Sequence, residues 1–290
     1  MIDPTTHGNS AHHRQLNGPL ARRRASRAST NTTRHPARTP DARTLYLMPA
    51  ETLHLTSTGE ALVASRPDGE VHRLPATRLL RVVCNERVHW SGAALSLCQH
   101  RGITIAWVDG RGSPSGYLWP AQSPRSELAD TLEALSGLPG DWSQTYTNWL
   151  RQQRLRVLQH WHAERTASGQ PVSAAEAQRA RRAWVYRNEL HEHLPPIVHG
   201  MISALVASLL AERGLAPRYW CADGENIELA ADISRLIWGE LNLCGGAIAE
   251  AMRESREAAA LFEKWSSRCA DLAFVHLASL RAHAARELQA

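Results

Sequence analysis

The chain has 290 residues, 43% of them hydrophobic, with 33 Lys and Arg against 28 Asp and Glu. That length suits two modest domains, while no apolar run approaches the roughly 20 residues of a membrane-spanning helix and no N-terminal apolar stretch reads as a secretory signal. Five cysteines, at 84, 98, 221, 244 and 269, are widely spread with no C-x-x-C pair, which argues against a disulfide framework or a zinc knuckle and for a reducing cytoplasm.

The charge is unevenly placed. Residues 1–43 hold eight Arg and two Asp, a net of +6, so the remainder sums to −1 against the whole-chain +5. Lys264 is the only lysine, so nearly every cation is a planar guanidinium suited to phosphate. Residues 1–43 are poor in aliphatics and rich in Ser, Thr, Pro and Arg. They cannot bury enough apolar surface to offset the entropy of ordering and read as a disordered basic arm.

From residue 44 to 120 the pattern is that of a small β-rich domain. "TLYLM", "TLHLTSTGEALVASRPDGEVHRLP" and "LLRVVC" alternate with period two around S-T-G-E and P-D-G-E turns, as hairpins do. "WSGAALSLCQHRG" predicts a short helix with Ser91 as N-cap and Gly102 as its stop. "ITIAWVDGRGSPSGYLWP" predicts strand, D-G turn and strand.

Residues 121–290 read as all-helical, making the fold class α+β. "SELADTLEAL" is a short helix, and the next one sets Tyr146, Leu150, Val157 and Trp161 on one face, interrupted by Arg154. "SAAEAQRARRAWVYRNELHEH" follows. Pro195 and Pro196 open a helix whose wide apolar stripe, from Ile197 to Leu210, belongs in the centre of a bundle; Gly214 ends it. A helix is expected to open near Asp232, whose alternative reading to a chemical role is N-cap of 233–240, and two more helices are expected over about 246–264 and 266–288.

Two groups of residues carry candidate chemistry. Asp223, Glu225, Glu228 and Asp232 crowd the segment after Gly214. Arg151, Arg154, Arg156, Arg179, Arg181, Arg182 and Arg187, interleaved with Trp161, Trp184 and Tyr186, suit a phosphate-binding surface with stacking rings. His160 and His162, like His191 and His193, stand two residues apart, so they diverge on a helix and read as surface residues. His199 reads as a core or interface side chain. No P-loop, G-x-S-x-G, dinucleotide fingerprint or H-E-x-x-H occurs.

The order of these phrases resembles one family. "LLRVVCNERVHWSGAALSLCQHRGITIAWVDGRGSPSGYL", then "ISALVASLLAERGLAP", then Asp232-Ile233 in "ELAADISRLI", are similar to the β domain, buried helix and acidic helix start of the first CRISPR-associated protein, the spacer-acquisition integrase. The resemblance spans about residues 44–265. It implies homodimers flanking a small ferredoxin-like partner and acting on double-stranded or branched DNA. It further implies metal-dependent cleavage and strand transfer by a 3′-OH, with Mg²⁺ or Mn²⁺ held by a Glu, a His and an Asp.

The sequence departs from that pattern at the site itself. No histidine follows the G-x-x-P turn; Asp223 stands at or beside its place. Asp232 matches the family aspartate, but Arg235 replaces the second acidic residue. Glu176 is the best match for the early glutamate, with Glu189 and Glu192 behind it. The expected catalytic and metal-ligating set is therefore Asp232, Asp223 and Glu176. Two main readings stay open: a metal-dependent integrase with a rebuilt site, and a catalytically inactive paralogue that binds or scaffolds DNA. A weaker third is an unrelated helical DNA-binding protein with a β cap.

Overall fold

The computed structural model describes residues 42–121, 126–136, 142–190, 194–215, 228–246, 250–251 and 258–289. The expected basic arm lies outside these except for its last two residues, and so do Asp223, His191, Glu192 and His193.

The alternating segments form eight strands: β1 (Arg43–Leu47), β2 (Leu53–Ser57), β3 (Ala61–Ser65), β4 (Val71–Pro75), β5 (Leu79–Asn85), β6 (Val88–Trp90), β7 (Thr104–Val108) and β8 (Pro114–Leu118). They make two four-stranded sheets, in the orders β1-β5-β7-β8 and β4-β3-β2-β6. β2, β3 and β4 are the expected antiparallel hairpins. β1, β5 and β7 run parallel, and β8 closes that sheet antiparallel. Helix α1 (Gly92–Arg101) is capped as the sequence predicts. The Ser91 side chain accepts from the Ala94 amide, and Gly102 adopts a left-handed φ of 71°.

The helical part comprises α2 (Glu127–Ser136), α3 (Trp142–Ala167), α4 (Ala174–Ala180) continuing into a π-helical segment (Arg181–Arg187), α5 (Pro196–Glu212), α6 (Leu229–Cys244) and α7 (Ala258–Glu287). Two expectations are corrected. The helix at Asp232 begins three residues earlier, at Leu229, so Asp232 sits in its first turn and is not the N-cap. The C-terminal break expected near residue 265 is absent, and α7 runs through it. The reason is local: 258–287 contains neither Gly nor Pro, and the Ser266 hydroxyl donates back to the Glu263 carbonyl at 2.8 Å within the helix.

Helix α5 is buried around most of its circumference, as a helix apolar on all sides must be. Its small-residue side, Gly200 and Ala204, rests on the parallel sheet. Ala204 shares a core with Val83, Ala106 and Val108, and a methyl group at Gly200 would strike Val108 and the Gly112 carbonyl. On its other sides it packs against α6 and α7. The sheet also reaches α7 through a polar contact. Buried Arg81 lies 3.6 Å from the Glu263 carboxylate, and the Tyr46 hydroxyl donates to that carboxylate at 2.6 Å.

Candidate functional site

Helices α3 and α6 pack side by side and set the first turn of α6 against the first turns of α3. Asp232 faces inward there. The Tyr146 hydroxyl donates to its Oδ2 at 2.8 Å. Burial pushes the carboxyl up to about 6, although the Tyr146 hydrogen bond and the Arg154 charge both act to lower it, while Glu228 adds a like charge that raises it. The Tyr146 phenol is itself raised by burial and by the Asp232 charge.

Arg154 lies on α3 at 9% exposure, with its guanidinium carbon 5.5 Å from the Trp184 ring centroid. Burial lowers its pKa and the Asp232 charge raises it. The sequence reading put Arg154 on a DNA-facing surface; its burial corrects that. Arg154, which interrupts the apolar pattern of α3, belongs to the buried face of that helix, with the Asp232 charge nearby.

Arg235 stands one turn beyond Asp232 on α6. Its guanidinium donates to the Asn188 carbonyl at 3.4 Å, at the end of the π-helical segment, where Asn188 takes a left-handed φ of 56°.

Glu176 is placed elsewhere. It lies in the first turn of α4, where its amide donates to the Ser173 hydroxyl. It lines a cavity of about 580 Å³ together with Glu189, Arg165, Arg179, Trp161 and Trp184. No contact joins it to Asp232 among the described residues. Mg²⁺ and Mn²⁺ require several convergent oxygen donors. Among the described residues the surroundings of Asp232 offer its half-buried carboxylate, the Tyr146 phenol, the Arg154 charge and the exposed Glu228, and no cluster of convergent oxygen donors for such an ion is formed there. Asp223, the third expected ligand, lies outside the described residues.

The remaining expected DNA-contacting residues, Arg151, Arg156, Arg179, Arg181, Arg182 and Arg187, are exposed. Tyr186 among them is 59% exposed, and Arg181 donates to its hydroxyl at 3.4 Å. Trp161 and Trp184 are buried, so Tyr186 is the ring of this stretch that is open to stack. Arg156 is held on α7 by Ser279, at 3.2 Å.

One cluster escaped the sequence reading. His160 on α3 is hydrogen-bonded through Nδ1 to Glu240 on α6, and Cys244, one turn further along α6, brings its sulfur to the same place. Its two halves are 80 residues apart, and the pattern that joins them is an i,i+4 pair on each of two facing helices. His162, two residues from His160, is exposed on a different face.

With this geometry in view, residues 45–139 match the protein family described as CRISPR associated protein Cas1. Three solved structures share the fold. A TtCas1–DNA complex has 16% identity and a TM-score of 0.54, covering 82% of this chain and 92% of that one. A Cas1 protein from Thermotoga maritima has 12% identity and a TM-score of 0.51, covering 74% and 81%. A casposase bound to integration product has 12% identity and a TM-score of 0.52, covering 83% and 89%. The match to the Cas1 family model covers about a third of the chain, and the fold is shared with Cas1 proteins and a casposase. Its family match lies in the β sheets and α2, and its Cas1-like fold extends through the helical part. No curated protein matches it in sequence. Among the described residues no helix is long and apolar enough to cross a membrane.

Proposed function

We propose that this Cas1-type chain is an integrase-like DNA-binding protein of CRISPR adaptation, and that it works by holding DNA. In this reading it is a cytoplasmic homodimer that binds double-stranded or branched spacer DNA beside a small ferredoxin-like partner. Its Asp232 pocket then holds α3 to α6 and does not carry Mg²⁺ or Mn²⁺. The observation that carries the reading is the state of Asp232: half-buried, hydrogen-bonded by Tyr146 and stabilised by the charge of the buried cation Arg154. A metal at Asp232 would meet the positive charge of the nearby Arg154. The exposed arginines of α3, α4 and the π-helical segment, with Tyr186 among them, supply phosphate contacts and one stacking ring.

Metal-dependent strand transfer is the second reading. What favours it is that the Arg235 guanidinium reaches the Asn188 carbonyl.

The DNA-holding role is tested by fluorescence anisotropy with branched and linear duplexes over a salt series. Binding falls with salt in proportion to the phosphates contacted. Replacing Arg179, Arg181, Arg182 and Arg187 together by Ala is expected to lower the slope of log K against log salt by up to about 4, roughly 1 per lost contact. Unchanged affinity and slope would refute the assignment of that surface.

A further inference from the structure

Two turns along α6 from Asp232, the same helix pair carries a second cluster of a different chemical kind. α3 contributes His160 and Glu164, four residues apart; α6 contributes Glu240 and Cys244, also four residues apart. Spacing of four sets two side chains on one helix face, one above the other. Two such pairs on facing helices are how helical bundles build metal centres. His160 Nδ1 meets Glu240, and its Nε2 lies 3.3 Å from Glu164 Oε1. The ligand atoms of His160, Glu240 and Cys244 all lie within 4.8 Å of one another.

We propose that His160 Nδ1, a Glu240 carboxylate oxygen and the Cys244 thiolate form a binding site for a divalent transition-metal ion of the zinc type, stapling α3 to α6. The donor set decides the ion. One nitrogen, one oxygen and one sulfur suit borderline-soft Zn²⁺ and not the hard ions Mg²⁺ or Ca²⁺. In a tetrahedral zinc site neighbouring ligand atoms stand about 3.3–3.8 Å apart, as bond lengths of about 2.0–2.3 Å require.

The protonation states follow the same logic. Without an ion, burial and the charges of Glu240 and Glu164 push the Cys244 thiol up, and burial raises the Glu240 carboxyl. Two carboxylates round a thiol make an unfavourable collection of anions that a dication relieves; Arg268 supplies only partial compensation. When the ion binds neutral His160 through Nδ1, the ring proton resides on Nε2 and is donated to Glu164. The Cys244 thiol proton leaves to solvent, so one proton is released per ion and binding tightens as pH rises. Glu164 orients the imidazole from behind, as carboxylates do for zinc-bound histidines. Glu240 is buried while His160 is 44% exposed, so the fourth position faces the solvent side by which an ion enters.

The site is independent of the Asp232 pocket, and the test keeps them apart. Chelator-treated full-length protein is titrated with Co²⁺, which reports thiolate ligation by a near-ultraviolet charge-transfer band. The wild type is expected to show that band and to lose it when Zn²⁺ is added. Cys244→Ser is expected to lack the band, His160→Gln to bind at least about 10-fold more weakly, and Asp232→Asn to bind as the wild type does. Absence of the band in the wild type, or its persistence in folded Cys244→Ser, overturns the proposal. Should Cys244→Ser fail to fold by circular dichroism, His160→Gln decides, and wild-type affinity there overturns it.

Discussion

The Tyr146 hydroxyl donates to the Asp232 carboxylate at 2.8 Å, across 86 residues of sequence and between two helices. That bond joins α3 to α6 at the residue that the sequence resemblance marks as a metal ligand. Tyr146→Phe removes the donor and keeps the ring in the core. The expected loss of stability is about 1.5–3 kcal/mol, the range for a hydrogen bond to a charged group, measured by urea unfolding at pH 8. An unchanged midpoint would mean that the bond contributes nothing.

Arg154 compensates Asp232, so removing it alone should be costly. Arg154→Met takes the nearby positive charge away from the half-buried Asp232 carboxylate, at an expected cost of about 1–3 kcal/mol at pH 8. The Asp232 carboxyl already sits at about 6, above its ordinary value of 3.8, and losing Arg154 raises it further. A raised carboxyl contributes stability that is present below the ordinary value and lost as pH rises through the folded value. The penalty in Arg154→Met should therefore shrink towards pH 5. Arg154→Met with Asp232→Asn should recover much of the loss, because neither charge remains. Equal penalties at pH 5 and pH 8 would contradict this coupling.

His276 works in the opposite direction. It is buried on α7 against Gln153, and burial, with the nearby Arg156 charge, pulls it down to about 4. A histidine held neutral in the fold contributes stability that is present above its ordinary value of 6.5 and lost as pH falls towards 4. Between pH 7 and pH 4 the wild type should lose about 2–3 kcal/mol more than His276→Gln. Parallel curves for the two proteins would remove His276 as a cause of acid sensitivity.

Gly200 is where α5 comes down on β7. A side chain there must displace Val108 and the Gly112 backbone, and Gly112 has a φ of 89° that other residues rarely adopt. Gly200→Ala should cost about 1–3 kcal/mol as overpacking, with Gly200→Val worse; thermal unfolding checks both. A neutral Gly200→Ala would show that the helix moves off the sheet freely.

Much of the fold was legible because local chemistry agreed with the final structure. Ser91, Gly102, Pro196 and the period-two segments each marked an element that formed as read. The expected two C-terminal helices went wrong for lack of a breaker: Ser266 and Ser267 resemble a boundary in composition, yet Ser266 is satisfied inside the helix. Asp232 was legible as a special residue, but its partners were not, since Tyr146 and Arg154 lie about 80 residues away and look like one ordinary residue and one misplaced charge. His160 failed for the same reason. Its neighbour His162 invited an i,i+2 comparison on one helix, whereas its real partners, Glu240 and Cys244, lie on another.

The most direct test of the account is a cleavage and strand-transfer assay. Purified full-length protein is given branched DNA with Mn²⁺ or Mg²⁺, beside Asp232→Ala and an EDTA control, with binding to the same DNA measured in parallel. The account predicts binding with no cleaved or joined product under any condition. Metal-dependent products that disappear with EDTA and in Asp232→Ala would contradict it, and would make the carboxylate held by Tyr146 part of a working integrase centre.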